Sequence, residues 1–165
     1  MTQVLESFLR EGVHRYAEAS ATIQAFQTAI EKRLQSILRD RRDRNDWTTF
    51  VPSASHSIES WHSWGITSPH VTAWIKGKVE GSLAANLAIG IWWNAPYDNA
   101  EEKVIFHANF EDADPRILLK NGDPDGPMFS FLADGATRLC LHPKSELDFD
   151  HDFNVLITAL QARIG

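Results

Sequence analysis

Apolar or small residues recur through the first quarter of the chain at Leu5, Leu9, Gly12, Tyr16, Ala19, Ile23, Phe26, Ile30, Leu34 and Ile37. The steps between them alternate between four and three, with one extra four near Ile30, which is the spacing that lays a stripe along one helical face. No proline precedes Pro52, and a cationic run from Arg39 to Arg44 leads into Asn45-Asp46. Cations in a last turn complement the helix dipole. The pattern predicts an amphipathic helix over 3–43. At ~1.5 Å per residue such a helix reaches about 60 Å, whereas a compact domain of this length is roughly 40 Å across. Two outcomes follow. The helix breaks, near Gly12 or at Ser20-Ala21-Thr22 where Ser20 would cap a second segment, or it projects and covers its stripe with another chain. The near-heptad spacing suits a homodimer through residues 3–43.

From Trp47 the period changes to two. Trp47 to Val51 is β-rich and ends at Pro52; a Ser/His/Trp-rich connection follows, with a strand expected at Ser57–Trp61. Val71 to Val79 is β-prone and runs into the turn signal Glu80-Gly81. Along Ser82 to Trp93, Leu83, Ala85, Leu87, Ile89, Ile91 and Trp93 alternate with Ala84, Asn86, Ala88, Gly90 and Trp92. The second set is small, and the expectation is that the long helix packs closely on it. Lys103 to Phe110 places Val104, Phe106, Ala108 and Phe110 opposite Ile105, His107 and Asn109. Pro127–Leu132 and Thr137–His142 read as a last strand pair. The segment 150–164 reads as a helix with Phe153, Leu156, Ile157, Leu160 and Ile164 on one face, opened by Asp148, Asp150 and Asp152. Short turns favour antiparallel pairing. The expected fold is α+β: one domain over 1–165, with an antiparallel β-meander of five or six strands at 47–142 covered on one face by the long N-terminal helix and the C-terminal helix.

Composition agrees with an ordinary folded domain: of 165 residues, 43% are hydrophobic and 23% charged. No apolar run approaches the ~18 residues of a membrane span, and the first residues lack a cationic signal-peptide start. Cys140 is the lone cysteine, so a thiolate-rich zinc site and an internal disulfide are excluded; the expectation is a cytoplasmic protein with Cys140 as a buried small hydrophobe. The net charge of −6 is uneven: residues 98–165 hold six Lys/Arg against thirteen Asp/Glu. That half disfavours nucleic acid and favours a basic partner.

Candidate chemistry is sparse. Asn121-Gly122-Asp123-Pro124-Asp125-Gly126 resembles the start of an EF-hand loop, but its twelfth position is Leu132 rather than a bidentate Glu; the reading is a surface turn. His56, His62 and His70 share one loop with Trp61 and Trp64, at spacings that match no zinc motif. Lys32, Arg33, Arg39, Arg41, Arg42 and Arg44 interleave with Glu31, Asp40, Asp43 and Asp46, which reads as pairing within the helix. Glu101-x-Lys103 with Glu80 upstream and His107 nearby is the fragmentary pattern of a metal-dependent hydrolase or nuclease. No phosphate-binding glycine loop and no nucleophile elbow is present, and no cofactor is implied. The unusual feature is six tryptophans. Adjacent Trp92 and Trp93 must point to opposite faces of their strand, and tryptophan is enriched in binding hot spots. The leading expectation is a non-catalytic binding or assembly module that recognises a protein or peptide through an aromatic sheet face, with Trp61, Trp64, Trp74, Trp92 and Trp93 as binding residues. The alternatives are the hydrolase using Glu80, Glu101, Lys103 and His107, and a small-ligand pocket between the sheet and the helices lined by Trp74 and Trp92.

Overall fold

A computed structural model of the chain describes residues 2–63, 70–79, 81–94, 103–113, 129–131, 138–141 and 148–164. The first element, α1 (Thr2–Arg44), is a single unbroken helix of 43 residues, so the break expected near Gly12 or Ser20 does not occur. A glycine within a helix costs only about 1 kcal/mol. The flanking turns bridge it, with Arg15 paired to Glu11 and His14 to Glu18 four residues on. The hydroxyl of Thr22 donates to the carbonyl of Glu18 at 3.0 Å, so this stretch continues the helix rather than capping a new one. Asn45 ends α1 in the left-handed region, with φ of 53°, the conformation that Asn tolerates at this position.

Seven strand segments follow: β1 (Phe50–Pro52), β2 (Glu59–Ser63), β3 (His70–Val79), β4 (Leu83–Asn94), β5 (Lys103–Glu111), β6 (Phe129–Phe131) and β7 (Arg138–Leu141), and the chain closes with α2 (Phe149–Gln161). The strands form one antiparallel sheet in the order β1-β3-β4-β5-β7-β6. β2 shares the outer edge of β3 with β1: β1 pairs along Phe50↔Val79 to Pro52↔Gly77, and β2 along Glu59↔Trp74 to Ser63↔His70. The architecture is α+β, with α1 and α2 packed against one face.

That face is not the one the small residues of β4 suggested. Ala85, Leu87, Ile89 and Ile91 of β4 join Val71, Ala73 and Ile75 of β3 and Phe106, Ala108 and Phe110 of β5 in one buried cluster. Leu34, Ile37 and Leu38 of α1 and Phe153, Leu156, Ile157 and Leu160 of α2 complete it. The larger set wins because each buried large apolar side chain gains about 1.5–3 kcal/mol, and large side chains are needed to fill the space between a sheet and a helix layer at interior density. Within the cluster Phe106 stacks on Phe153, with ring centroids 4.8 Å apart.

Only the last four turns of α1 enter this core. Ile30 is 5% exposed and Leu34 is fully buried, but Leu5, Leu9, Tyr16, Ile23 and Phe26 remain 44–76% exposed. Of the two outcomes open to the over-long helix, projection is the one observed. No helix among the described residues is long and apolar enough to cross a membrane.

Two polar joints hold the helices to the sheet. Gln161 is buried, and its Oε1 accepts from the backbone N–H of Thr48 at 2.8 Å, the Thr48 hydroxyl at 3.0 Å and the N–H of Thr49 at 3.4 Å. Arg41 is also buried, with its guanidinium over the Trp47 ring at 5.4 Å, its Nε 3.4 Å from Asp46 and its Nη1 3.2 Å from Asn154. Burial lowers its pKa, the Asp46 carboxylate raises it, and nearby Arg44 lowers it further. The basic cluster therefore looks outward from its helix more than the expected internal pairing allows: Arg33 bonds Asp150 of α2 at 2.7 Å, while Arg42 does pair locally with Asp43 at 3.2 Å. Asp148 caps α2, its carboxylate accepting from the N–H of His151 at 3.1 Å.

Replacing Gln161 with Leu leaves the Thr48 and Thr49 amides without their acceptor. Loss of about 1–3 kcal/mol is expected, read as a lower urea midpoint with an unchanged slope. Asp152 offers a pH-dependent counterpart. Desolvation holds its carboxyl above the ordinary value, neighbouring His151 opposes that, and Asp148 adds to it. A raised carboxyl favours folding most below its unfolded pKa, and the benefit is lost as pH rises through the folded pKa. Asp152→Asn is therefore expected to raise the melting temperature at neutral pH, with the gain fading as the buffer is taken below the carboxylate range.

Candidate functional site

The face of the sheet turned away from the helices is concave, and its side chains are set by strand register. Glu59 and Trp61 of β2, His70, Thr72, Trp74 and Lys76 of β3, Asn86 and Trp92 of β4, and His107 and Glu111 of β5, with Asp112 just beyond, line a depression of about 670 Å³. Period-two alternation puts these residues on the side opposite the aliphatic core. The partners run straight across: Trp61↔Thr72, Thr72↔Gly90, Gly90↔His107 and His107↔Cys140 form one row.

Gly90 makes this row possible. A Cβ at Gly90 would lie 2.5 Å from His107 Nε2 and 2.7 Å from the carbonyl oxygen of Val71, so the imidazole of His107 occupies the space that any other residue would fill. His107 is buried, its Nδ1–H donates to Asn109 Oδ1 at 3.3 Å, and its ring sits 5.4 Å from the Trp92 ring at a tilt of 35°. A second imidazole–indole pair lies nearer the sheet edge, where Trp61 and His70 have centroids 4.7 Å apart. Trp61 is 54% exposed. At the far rim Asn86 donates to Asp112 at 3.4 Å, and Lys76 pairs with Glu59 at 3.6 Å. The depression thus presents three indoles and an acidic margin of Glu59, Glu111 and Asp112, with one lysine already engaged by Glu59.

Three of the five expected binding tryptophans, Trp61, Trp74 and Trp92, meet here. Trp64 lies outside the described residues, and Trp93 sits on β4 with its side chain outside them. The space lined by Trp74 and Trp92 is on the open face, not between sheet and helices. That position is corrected for the same reason as the helix packing, since the bulky alternate set of β4 claims the helix side. His56, His62 and His70 do not converge. His56 is exposed beside Ser55, His62 turns to the helix side where its Nδ1 lies 3.0 Å from Glu31 and 2.6 Å from Gln27 Nε2, and His70 lies on the open face.

Of the hydrolase candidates, Glu80 and Glu101 fall outside the described residues, as does the 121–126 loop. Lys103 opens β5 opposite Asn94, with its side chain outside them, and His107 lies four residues on. Among the described residues no group of three or more His, Cys, Asp or Glu is placed to hold a metal ion. Cys140 is buried in β7. Of the polar members of the depression, Thr72, Lys76 and Glu111 were not singled out from sequence, and His70 was noted only as one of three loop histidines. The signal was there in the alternation of β3, where His70, Thr72, Trp74 and Lys76 share one face. No protein-family model, no curated protein and no solved structure matches this chain.

Gly90→Ala is expected to push His107 off its seat and tilt Trp92. Overpacking of this kind costs about 1–3 kcal/mol. Urea unfolding followed by intrinsic fluorescence checks it: the midpoint falls, and the native emission maximum shifts as the indole environment changes.

Proposed function

We propose that the protein is a non-catalytic, cytosolic binding and assembly module that takes a protein or peptide segment on the open face of its sheet, with the exposed stripe of α1 as its assembly surface. The observation that carries the binding half is the convergence of Trp61, Trp74 and Trp92 on one concave face with a margin of Glu59, Glu111 and Asp112. Indole faces attract cations, about 0.5–2 kcal/mol per contact depending on desolvation. Carboxylates around them add attraction and steering. The segment that suits this chemistry carries Arg or Lys beside an apolar residue, in keeping with a chain of net charge −6. A second reading, a small cationic ligand, is favoured by the volume of about 670 Å³, which falls within the range of ligand pockets.

Selection of a random dodecapeptide display library on the immobilised protein tests the reading. Enrichment of peptides rich in Arg or Lys is expected, with binding weakened at least about tenfold in Trp61→Ala and Trp74→Ala, the loss typical of a central anchor. Retained circular dichroism would show that both variants fold. Failure to enrich any sequence, or peptides that bind both variants undiminished, would remove the peptide assignment. Titration with tetramethylammonium and with arginine amide measures the small-ligand reading separately.

A further inference from the structure

The structure leaves one large apolar surface without a cover, and its pattern specifies what fits it. Val4, Leu5, Leu9, Val13, Tyr16 and Ile23 are 44–76% exposed along the projecting part of α1. From Leu5 to Ile30 the stripe Leu5, Leu9, Gly12, Tyr16, Ala19, Ile23, Phe26, Ile30 keeps strict steps of four and three. That is the heptad repeat of a left-handed coiled coil. After Ile30 the step lengthens, and the stripe passes into the core at Leu34 and Ile37.

We infer that this surface is covered by α1 of a second copy running antiparallel, with the two-fold axis beside residue 14. The inference rests on the assembly half of the function proposed above and adds its geometry. The argument is one of size. Around a two-fold at residue 14, Leu5 faces Ile23 of the other copy, Leu9 faces Ala19, and Gly12 faces Tyr16. Leu9 and Tyr16 each meet a small residue, Leu5 meets an aliphatic chain of equal size, and the same pairs recur on the other side of the axis. A two-fold interface must be self-complementary in this way. Parallel pairing in register instead sets Gly12 against Gly12 and Ala19 against Ala19, leaving two gaps, and crowds Tyr16 against Tyr16. A Cβ placed at Gly12 meets nothing within 4 Å in the single chain, so the notch is empty until a partner ring enters it.

Area agrees, and charge does not oppose it. Six exposed side chains per copy, at roughly 60–100 Å² each, bury on the order of 1,000 Å² in the pair. That reaches the lower bound for a specific interface. Of these side chains, Val13 flanks the seam near the axis. Arg15 of the two copies approach on the other flank, but each is already bound to Glu11 of its own helix.

Sedimentation and thiol cross-linking test this on the full chain, whose native Cys140 is buried. The wild type is expected to sediment as a dimer. Leu9→Glu is expected to sediment as a monomer with unchanged circular dichroism, since Leu9 is 55% exposed in the single chain. With a short bis-maleimide, Val13→Cys is expected to give covalent dimers, because its two copies lie about 3 Å apart along the axis. Leu5→Cys is expected to give none, its copies being about 27 Å apart at ~1.5 Å per residue. A wild-type monomer at all concentrations overturns the inference and the assembly half of the proposed function, while the peptide selection judges the sheet face on its own. A dimer in which Leu5→Cys cross-links to itself overturns the antiparallel arrangement alone. A dimer unaffected by Leu9→Glu, or one that Val13→Cys fails to cross-link, overturns α1 as the seam.

Discussion

The division of β4 into two unequal faces governs the rest of the molecule. Leu87, Ile89 and Ile91 are bulky, and Ala88 and Gly90 are small. The first set has enough apolar area to hold two helices, so α1 and α2 lie there and the core follows. The second set cannot support a helix layer. It leaves room that neighbouring strands fill with large side chains: His107 over Gly90, and Trp74 beside Ala88 across the β3–β4 ladder. One strand therefore decides both where the protein is stable and where it is open. The aromatic depression results from the same asymmetry that builds the core.

The anchoring of α1 is a second consequence. Little more than three turns, from Ile30 to Arg41, carry the apolar attachment of a helix of 43 residues. Aliphatic burial supplies most of it, but the end of the helix is fixed by Arg41 rather than by a hydrophobe. The arginine stem packs like an apolar chain, while its guanidinium spans Trp47, Asp46 and Asn154 and so joins α1, the connection to β1, and α2. Desolvating that cation opposes the gain, as its lowered pKa records. A charge in this place gives direction more than strength, because several partners must be in position at once to satisfy it. Gln161 does the corresponding work from α2, accepting at Thr48 and Thr49.

Most of this was readable in the residues. The four-three stripe located α1 and its length problem, the alternations located the strands, and Asp148 marked the start of α2. Side choice was harder. Small residues on a strand signal close approach, but they do not say of what. At Ala88 and Gly90 the close neighbours are indole and imidazole groups from adjacent strands, whereas a helix was expected. Arg33 and Arg41 illustrate a different limit. Acids adjacent in sequence, such as Asp40 and Asp43, compete with acids that the fold brings near, and only the packing of α2 makes Asp150 available to Arg33. The site was half visible for a related reason. Tryptophans attract notice by rarity, while His70, Thr72 and Lys76 gain meaning only once β3 is known to have an open face.

The two surfaces, the aromatic face and the apolar arm, meet at β2. Trp61 and His62 are neighbours on that strand and point to opposite sides. Trp61 packs at a tilt against His70 in the depression, while His62 lies against Gln27 and Glu31 where α1 leaves the core. The arm thus emerges from a base that is bonded to the strand bearing an exposed indole. Pairing of two arms about residue 14 would hold the two Ile30 positions about 48 Å apart at ~1.5 Å per residue, with one aromatic face at each end. A flexible tether would leave the separation of such faces undefined. A rigid helical strut would fix it, and two sites at fixed separation gain avidity only from a target whose own repeats match that span. In such a pair the length of α1, excessive for the fold of one chain, would set the spacing of the two faces.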